Sequence, residues 1–384
     1  MSHNFDLVII GAGPAGSAAA FTAVEQGVSV LLLEEHPKIG VPVVCAEGIT
    51  CGSIKDYLEI KPEWVATAIS GSYVRSPDGD EFKIEHPRAG YILDRMTFDP
   101  ALAQMAEMRG AVTKTSAKAI GIEGNEVIVD ESGKRRRYRY KFLIGADGIA
   151  SRVGRWMGMS TRLNMHEILV CAQYFVEDIR VESQYTTLIF GDRHAPGGYA
   201  WIFPKSDHSA NIGVGISPFK TKRKAKYFLD NWMKREFPHG TIRTKVFGGV
   251  PAKLMKRFSG KDFFLVGDAA RLSDPLSGAG IANGIKSGVI AGRNAVLRLQ
   301  GKKDLFEEEI KKEILDTLAF HFGLKKGLLK FTNRELTQFC KICRKIYGGA
   351  PTESIDMHHL VKSILLSSPR ILWIAMSVMI SRSS

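Results

Sequence analysis

The chain has 384 residues, 45% hydrophobic and 24% charged, a balance that suits two or three folded domains and excludes wholesale disorder. Its five cysteines are an odd, sparse set that excludes a disulfide scaffold and points to a reducing cytoplasm. A formal charge of +13 calls for an anionic partner (nucleic acid, a membrane surface or a phosphorylated substrate) or else marks a surface tuned for solubility.

The N-terminus runs straight into an apolar strand over residues 5–10, without the basic, apolar and small-residue succession of a secretion signal. An Ala-rich helix over 14–26 and a second apolar strand over 28–33 follow, a strand–helix–strand unit that fits a right-handed parallel crossover. The turn between the first strand and the helix reads Gly11-Ala12-Gly13-Pro14-Ala15-Gly16. Gly11 permits the tight turn, Gly13 lets backbone approach a pyrophosphate, and Gly16 lets the helix pack on the strand. Glu34, at the end of the second strand, is spaced to bind ribose hydroxyls.

Residues 49–86 read as short, turn-rich pieces, followed by a helix over 98–109 and strands over 117–122 and 126–129. The basic run 134–139 reads as the exposed part of a hairpin strand that turns apolar at 142–144. That strand ends in Gly145-Ala146-Asp147-Gly148, with Ser151-Arg152 beyond. Residues 168–176, 187–190, 198–203 and 210–216 suggest an antiparallel sheet, hence a second domain. Tyr199, Trp201 and Phe203 share one strand face and can wall an apolar cavity or simply fill a sheet core. Between 220 and 257, twelve Lys or Arg face only Asp230 and Glu236, a charged patch.

A buried strand over 263–266 ends in Gly267-Asp268, followed by Asp274-Pro275-Leu276-Ser277-Gly278-Ala279-Gly280-Ile281 and a helix over 284–299. The Asp268 carboxylate suits a ribityl hydroxyl, and the helix beyond Gly280 can aim N–H groups at pyrophosphate or a flavin edge. Two Gly-Asp turns, each after a hydrophobic strand and in this order after GxGxxG, select FAD over nicotinamide. From Lys302 onward the chain is helical and amphipathic. The Cys340–Cys343 CxxC lacks a second pair, so no metal site is expected, and His358-His359 reads as a surface pair. No stretch reaches the roughly 18–20 apolar residues of a spanning helix; the nearest, 371–380, suits a buried or monotopic helix.

With these motifs the chain resembles FAD flavoproteins of the para-hydroxybenzoate hydroxylase fold, and within them the geranylgeranyl reductase family. Pro42-Val43-Val44-Cys45-Ala46-Glu47-Gly48 is similar to the family's P-x-x-C segment, Arg95-Met96-Thr97-Phe98-Asp99 to its R-x-x-F-D, and Tyr199-Ala200-Trp201-Ile202-Phe203-Pro204 to its Y-x-W-x-F-P. Ala46 departs from the Gly that many members carry after the cysteine.

The resemblance implies an α/β fold: a discontinuous Rossmann-type FAD domain (1–60, 88–160, 255–300), an inserted antiparallel-sheet substrate domain (61–87, 161–254) and a helical C-terminal region (301–384). It extends the cofactor contacts to Ala15, Cys45, Ala46, Gly48, Arg95, Ala119, Gly280 and Ile281, beside Gly11, Gly13, Gly16, Glu34 and Asp268. The implied reaction adds hydrogen across isolated alkenes of a polyprenyl chain on an ether glycerophospholipid. Such an alkene is a poor hydride acceptor, so protonation is early or concerted, and Cys45, with Glu47 or water, is the expected acid. Electrons come from a nicotinamide, deazaflavin or ferredoxin donor. The protein is expected in the cytoplasm, peripherally at the anionic inner face of the membrane and without nucleic acid. The rival readings are a monooxygenase of the same fold and a non-catalytic basic FAD protein that binds membrane or nucleic acid.

Overall fold

The computed structural model describes residues 3–349 and 351–352. Strand β1 (His3–Ile10) ends in four buried apolar residues, Leu7 to Ile10, and passes through the glycine turn into α1 (Pro14–Val24). The chain returns as β2 (Val30–Leu33), parallel to β1 as the crossover requires.

It then leaves for a second sheet. β3 (Gly48–Thr50), β4 (Val65–Arg75) and β5 (Glu81–Leu93) are hydrogen-bonded there, which corrects the turn-rich reading of 49–86. β4 lacks a clean period-2 pattern, and its pairing with β5 slips between Ile69 and Gly71, so local sequence hides a strand that tertiary pairing creates. Residues 48–50 and 88–93, expected with the nucleotide domain, thus belong to the second sheet.

Helix α2 (Arg95–Glu107) leads back to the first sheet, with β6 (Val112–Lys114), β7 (Ala117–Glu123), β8 (Glu126–Glu131) and β9 (Lys134–Gly145). The basic half of β9 is exposed beside β8, where Arg137 and Arg139 each lie 3.2 Å from Glu126; its apolar half is buried against β1. After α3 (Arg152–Trp156) come β10 (Ile168–Glu177), β11 (Tyr185–Phe190), β12 (Tyr199–Ser206), β13 (Ser209–Ile216), α4 (Ala225–Glu236) and β14 (Thr241–Pro251). The basic stretch is therefore built structure. α4 buries Phe228, Leu229, Trp232 and Met233, while edge strand β14 turns Arg243 and Lys245 outward, as edge strands that resist pairing do.

β15 (Phe263–Leu265) completes the first sheet beside β9, and α5 (Ile281–Leu299) packs on α1. Gly288 makes that packing possible: a Cβ there would meet Ala15 O at 2.1 Å. The first sheet runs β6-β2-β1-β9-β8-β7 and the second β14-β10-β13-β12-β11-β4-β5-β3, antiparallel except for β11 with β4. This is an α/β fold, a Rossmann-type domain with an inserted sheet and a helical C-terminal region.

That region holds α6 (Phe306–Ile310), α7 (Asp316–Leu328) and α8 (Asn333–Tyr347). α8 lays Cys340, Cys343 and Tyr347 against Val74, Phe82 and Ile84. Burial pushes both thiols up to about 12, so the CxxC is apolar packing. Among the described residues no group of metal-binding side chains is assembled, and no helix is long and apolar enough to cross a membrane. His358-His359 and the apolar tail lie outside the described residues.

Candidate active site

Two helix N-termini converge on one cavity. Gly13, Pro14 and Ala15 of α1 and Gly280, Ile281 and Ala282 of α5 line it, with Gly267 and Asp268 between them. Free N–H groups and two positive dipole ends there suit a pyrophosphate. The glycines divide the work. A Cβ on Gly11 (φ +104) would meet Ala146 O at 2.3 Å and one on Gly16 would meet Gly11 O at 1.8 Å, whereas one on Gly13 meets nothing within 4 Å. Gly13 therefore faces open space, the approach a dinucleotide needs.

Asp268 is half-buried beside Ser273, whose hydroxyl donates to Oδ1; desolvation raises its carboxyl above the usual range, opposed by that hydrogen bond and by Arg95. Asp147, of the other Gly-Asp turn, is likewise raised by burial, and its Oδ2 accepts the Val153 N–H at 2.9 Å. Glu34 closes β2 onto the glycine turn, accepting from Ala12 N–H at 3.0 Å and His36 N–H at 2.9 Å. Gly11, Gly16, Glu34 and Ala119 lie off the cavity wall; Ala119 is buried in β7 opposite Val129. The convergent termini, the open side of Gly13 and the half-buried Asp268 on the cavity wall fit FAD.

Beyond this cradle the 45–48 turn enters the same cavity. Cys45 is half-buried, its open part facing the cavity, and its Sγ accepts the Glu47 N–H at 3.2 Å. Burial pushes the thiol up, with Arg95 and the Glu47 N–H opposing. The turn is clamped by residues absent from the motif. Gln173 Nε2 donates to Cys45 O at 2.9 Å, while its Oε1 accepts from Trp201 Nε1 at 3.1 Å. Asn211 Nδ2 reaches Glu47 Oε2 at 2.7 Å, Lys205 Nζ the same oxygen at 2.9 Å, and the Arg95 N–H donates to Oε1 at 2.9 Å. Arg95 is itself forked onto Asp99, both bonds at 2.5 Å.

Glu47 is 4% exposed, sits at φ +70 and accepts at both oxygens, so it holds the turn's shape. Glu47→Gln leaves the Lys205 ammonium without its countercharge and is expected to destabilise the fold by about 3 kcal/mol. A lowered urea midpoint of the cofactor-free protein checks this; an unchanged midpoint would remove the clamp.

Tyr199, Trp201 and Phe203 all face the cavity, while Ala200 and Ile202 on the opposite face of β12 pack in the core that α4 covers. The Tyr199 and Trp201 rings lie 5.8 Å apart, and the Tyr199 hydroxyl donates to Ser277 O. Gly213 makes room for the indole, since a Cβ there would meet Trp201 Cζ2 at 2.3 Å. From this wall the cavity, about 1060 Å³ in all, continues between Ile69, Ile84 and Leu188 of the sheet and Leu324, Leu328 and Phe339 of α7 and α8. That is at the upper end of ligand pockets, roughly 300–1,000 Å³.

The structure thus gathers Gly13, Ala15, Cys45, Ala46, Glu47, Gly48, Arg95, Tyr199, Trp201, Phe203, Asp268, Gly280 and Ile281 on one cavity. Sequence reasoning missed Gln173, Asn211 and Lys205. Their signal is a polar residue at a buried position of an apolar strand, as in Gln173 within LVCAQYFV.

Residues 6–146 match the family model for FAD dependent oxidoreductases, and residues 167–250 match that for the geranylgeranyl reductase catalytic domain. The chain is 34% identical to a digeranylgeranylglycerophospholipid reductase of Methanosarcina acetivorans, over 97% of this chain and 96% of the relative. It is 37% identical to digeranylgeranylglycerophospholipid reductase 1 of Methanococcoides burtonii, over 97% and 95%. A geranylgeranyl bacteriochlorophyll reductase-like protein of Thermoplasma acidophilum superposes with a TM-score of 0.89 at 27% identity, over 98% of this chain and 100% of that one. The flavin-dependent brominase Bmp2, in a triple mutant, shares only the fold, with a TM-score of 0.69 at 17% identity over 99% and 100%. Motifs, cavity and relatives agree: the chain belongs to the geranylgeranyl reductase family of FAD-dependent oxidoreductases.

Proposed function

We propose that this chain saturates isolated double bonds of geranylgeranyl chains on ether glycerophospholipids. The observation that carries the reading is one cavity running from the dinucleotide cradle, past Cys45 and Trp201, into an apolar arm between the second sheet and the C-terminal helices. Reduced FAD supplies the hydride equivalent. The other tasks fall to side chains. Trp201, Tyr199 and Phe203 hold the alkene and exclude water; Gln173, Glu47, Lys205 and Asn211 fix the turn that carries the thiol. Cys45 keeps its proton at Sγ through neutral pH because burial raises it, and delivers that proton to the alkene carbon opposite the hydride. Dithionite-reduced enzyme mixed anaerobically with unsaturated ether lipid should reoxidise, and with the saturated lipid should not. Turnover that requires oxygen would mark a monooxygenase instead.

The electrons come from an external donor of the nicotinamide, deazaflavin or ferredoxin class, and the enzyme works at the inner membrane face. Phe219, 67% exposed, stands beside Lys220, Lys222, Arg223 and Lys224, an apolar point within a basic loop. Each basic residue near an anionic bilayer contributes about 1 kcal/mol, screened by salt. Vesicle flotation should therefore rise with anionic lipid and fall with salt. Flotation indifferent to both would remove membrane docking from the account.

A further inference from the structure

One charge on the cavity wall has no use in the scheme above. Lys325, on α7, is 8% exposed, lines the cavity, and its Nζ has no hydrogen-bond partner among the described residues. The nearby carboxylate is already engaged. Asp274 accepts the N–H groups of Leu276 and Ser277 at 2.8 and 3.0 Å, and its other oxygen pairs with His321. A buried ammonium without a countercharge is costly, and the cost vanishes when an anion arrives.

A second lysine shows the direction of entry. Lys220, from the exposed basic loop, also lines the cavity and reaches Phe331 O at 3.4 Å, just past the end of α7. Gly197 lies against both the Lys220 stem and Leu329, one helical turn beyond Lys325. A ligand with a long apolar body and an anionic head meets Lys220 at the rim and Lys325 inside.

We infer that Lys325 is the receptor for a phosphate oxygen on the head of the cavity's lipid ligand, and so selects anionic prenyl lipids over neutral ones. The inference rests on reading the cavity as a polyprenyl-lipid site. Burial lowers the empty-site ammonium to about 8, with Cys171 and Asp274 opposing. It is still mostly charged at neutral pH. Anion binding favours the charged form, so affinity is full below about pH 8 and declines above it. The other groups around it do not imitate this. Cys171 on β10 and Cys343 on α8 are pushed up to about 12 by burial, and burial likewise raises Tyr199 on β12. Asp274 is raised by burial but lowered more by the His321 contact and the Ser277 and Leu276 N–H groups, so it ends below the usual carboxylate range.

The test uses the oxidised, FAD-loaded full chain, whose pyrophosphate cradle is filled, with tryptophan fluorescence reporting binding of geranylgeranyl phosphate, geranylgeraniol and inorganic phosphate across pH 7 to 10. Wild type should prefer the phosphate to the alcohol by roughly tenfold to a hundredfold, the range of one charged hydrogen bond, and lose that preference above pH 8. Lys325→Met should bind the two equally at every pH, and Lys325→Arg should keep the preference but flatten its pH dependence. Circular dichroism confirms that each variant is folded. Inorganic phosphate that binds wild type and not Lys325→Met would make the anion site independent of the lipid tail; no binding by inorganic phosphate alone assigns the site to the lipid head. A Lys325→Met protein that still prefers the phosphate overturns the inference. Because no turnover is measured, that result is distinct from a failure of alkene reduction.

Discussion

Gly13→Val should give a folded protein that no longer retains FAD. Gly13 has ordinary φ and ψ at the head of α1, and a Cβ there meets no protein atom within 4 Å, so the fold tolerates valine. The isopropyl group instead fills the space where backbone must approach the pyrophosphate. Gly16→Val makes the contrast, because its Cβ would lie 1.8 Å from Gly11 O and the strand–helix junction must come apart. Gel filtration followed by chromatography of released flavin, with circular dichroism beside it, separates the two outcomes. Wild type releases FAD, Gly13→Val is folded and colourless, and Gly16→Val is misfolded. A yellow Gly13→Val protein with full FAD content would show that the cradle has been read wrongly.

The second large effect is at Cys45. Cys45→Ser keeps the volume but replaces the thiol with a much less acidic hydroxyl, so FAD binding should survive while alkene reduction falls ~10²–10⁴-fold, the usual contribution of a general acid. Cys45→Ala should fall at least as far. Cys340→Ser, in the apolar contact of α8 and off the cavity wall, should leave the chemical step alone. Single-turnover reoxidation at saturating substrate isolates that step from the external donor. The active form is the protonated thiol, so the wild-type rate should hold through neutral pH and fall only above the thiol's ordinary range, ~8.5, because burial moves it upward. A Cys45→Ser enzyme that reoxidises at the wild-type rate would make the thiol packing and move the proton source elsewhere in the cavity.

The dinucleotide half was legible because its signals are local. An apolar strand, a glycine turn and a helix occupy residues 3–24 without a gap, and each Gly-Asp turn follows a short buried strand. β4 and β5 were not legible, since Gly71 and a register slip break their alternation and they are strands only by virtue of each other. The same holds for β14, whose charged outer face reads as a patch until β10 pairs with it. In the site, the residues named from motifs reach the cavity where the motif itself bends the chain, as at Cys45 and Asp268. Those that hold them come from distant strands. Gln173 lies 128 positions from Cys45, and Lys205 lies 158 from Glu47. Lys325 was hidden differently, as one lysine in an amphipathic helix whose inward direction only the packing of α7 reveals. Glu47, expected as a second acid from its place beside Cys45, is also a clamp on the turn, which only the folded partners reveal.

The central claim is hydrogenation of isolated prenyl alkenes, and lipid mass spectrometry reads it directly. The full-length FAD-loaded protein is incubated without oxygen with dithionite and an unsaturated archaeal-type ether lipid, beside a control lacking protein. The account predicts mass gains in steps of two hydrogens, absent from the control and strongly diminished with Cys45→Ser. An unsaturated lipid recovered at its original mass, from protein that has bound FAD and been reduced, would contradict it.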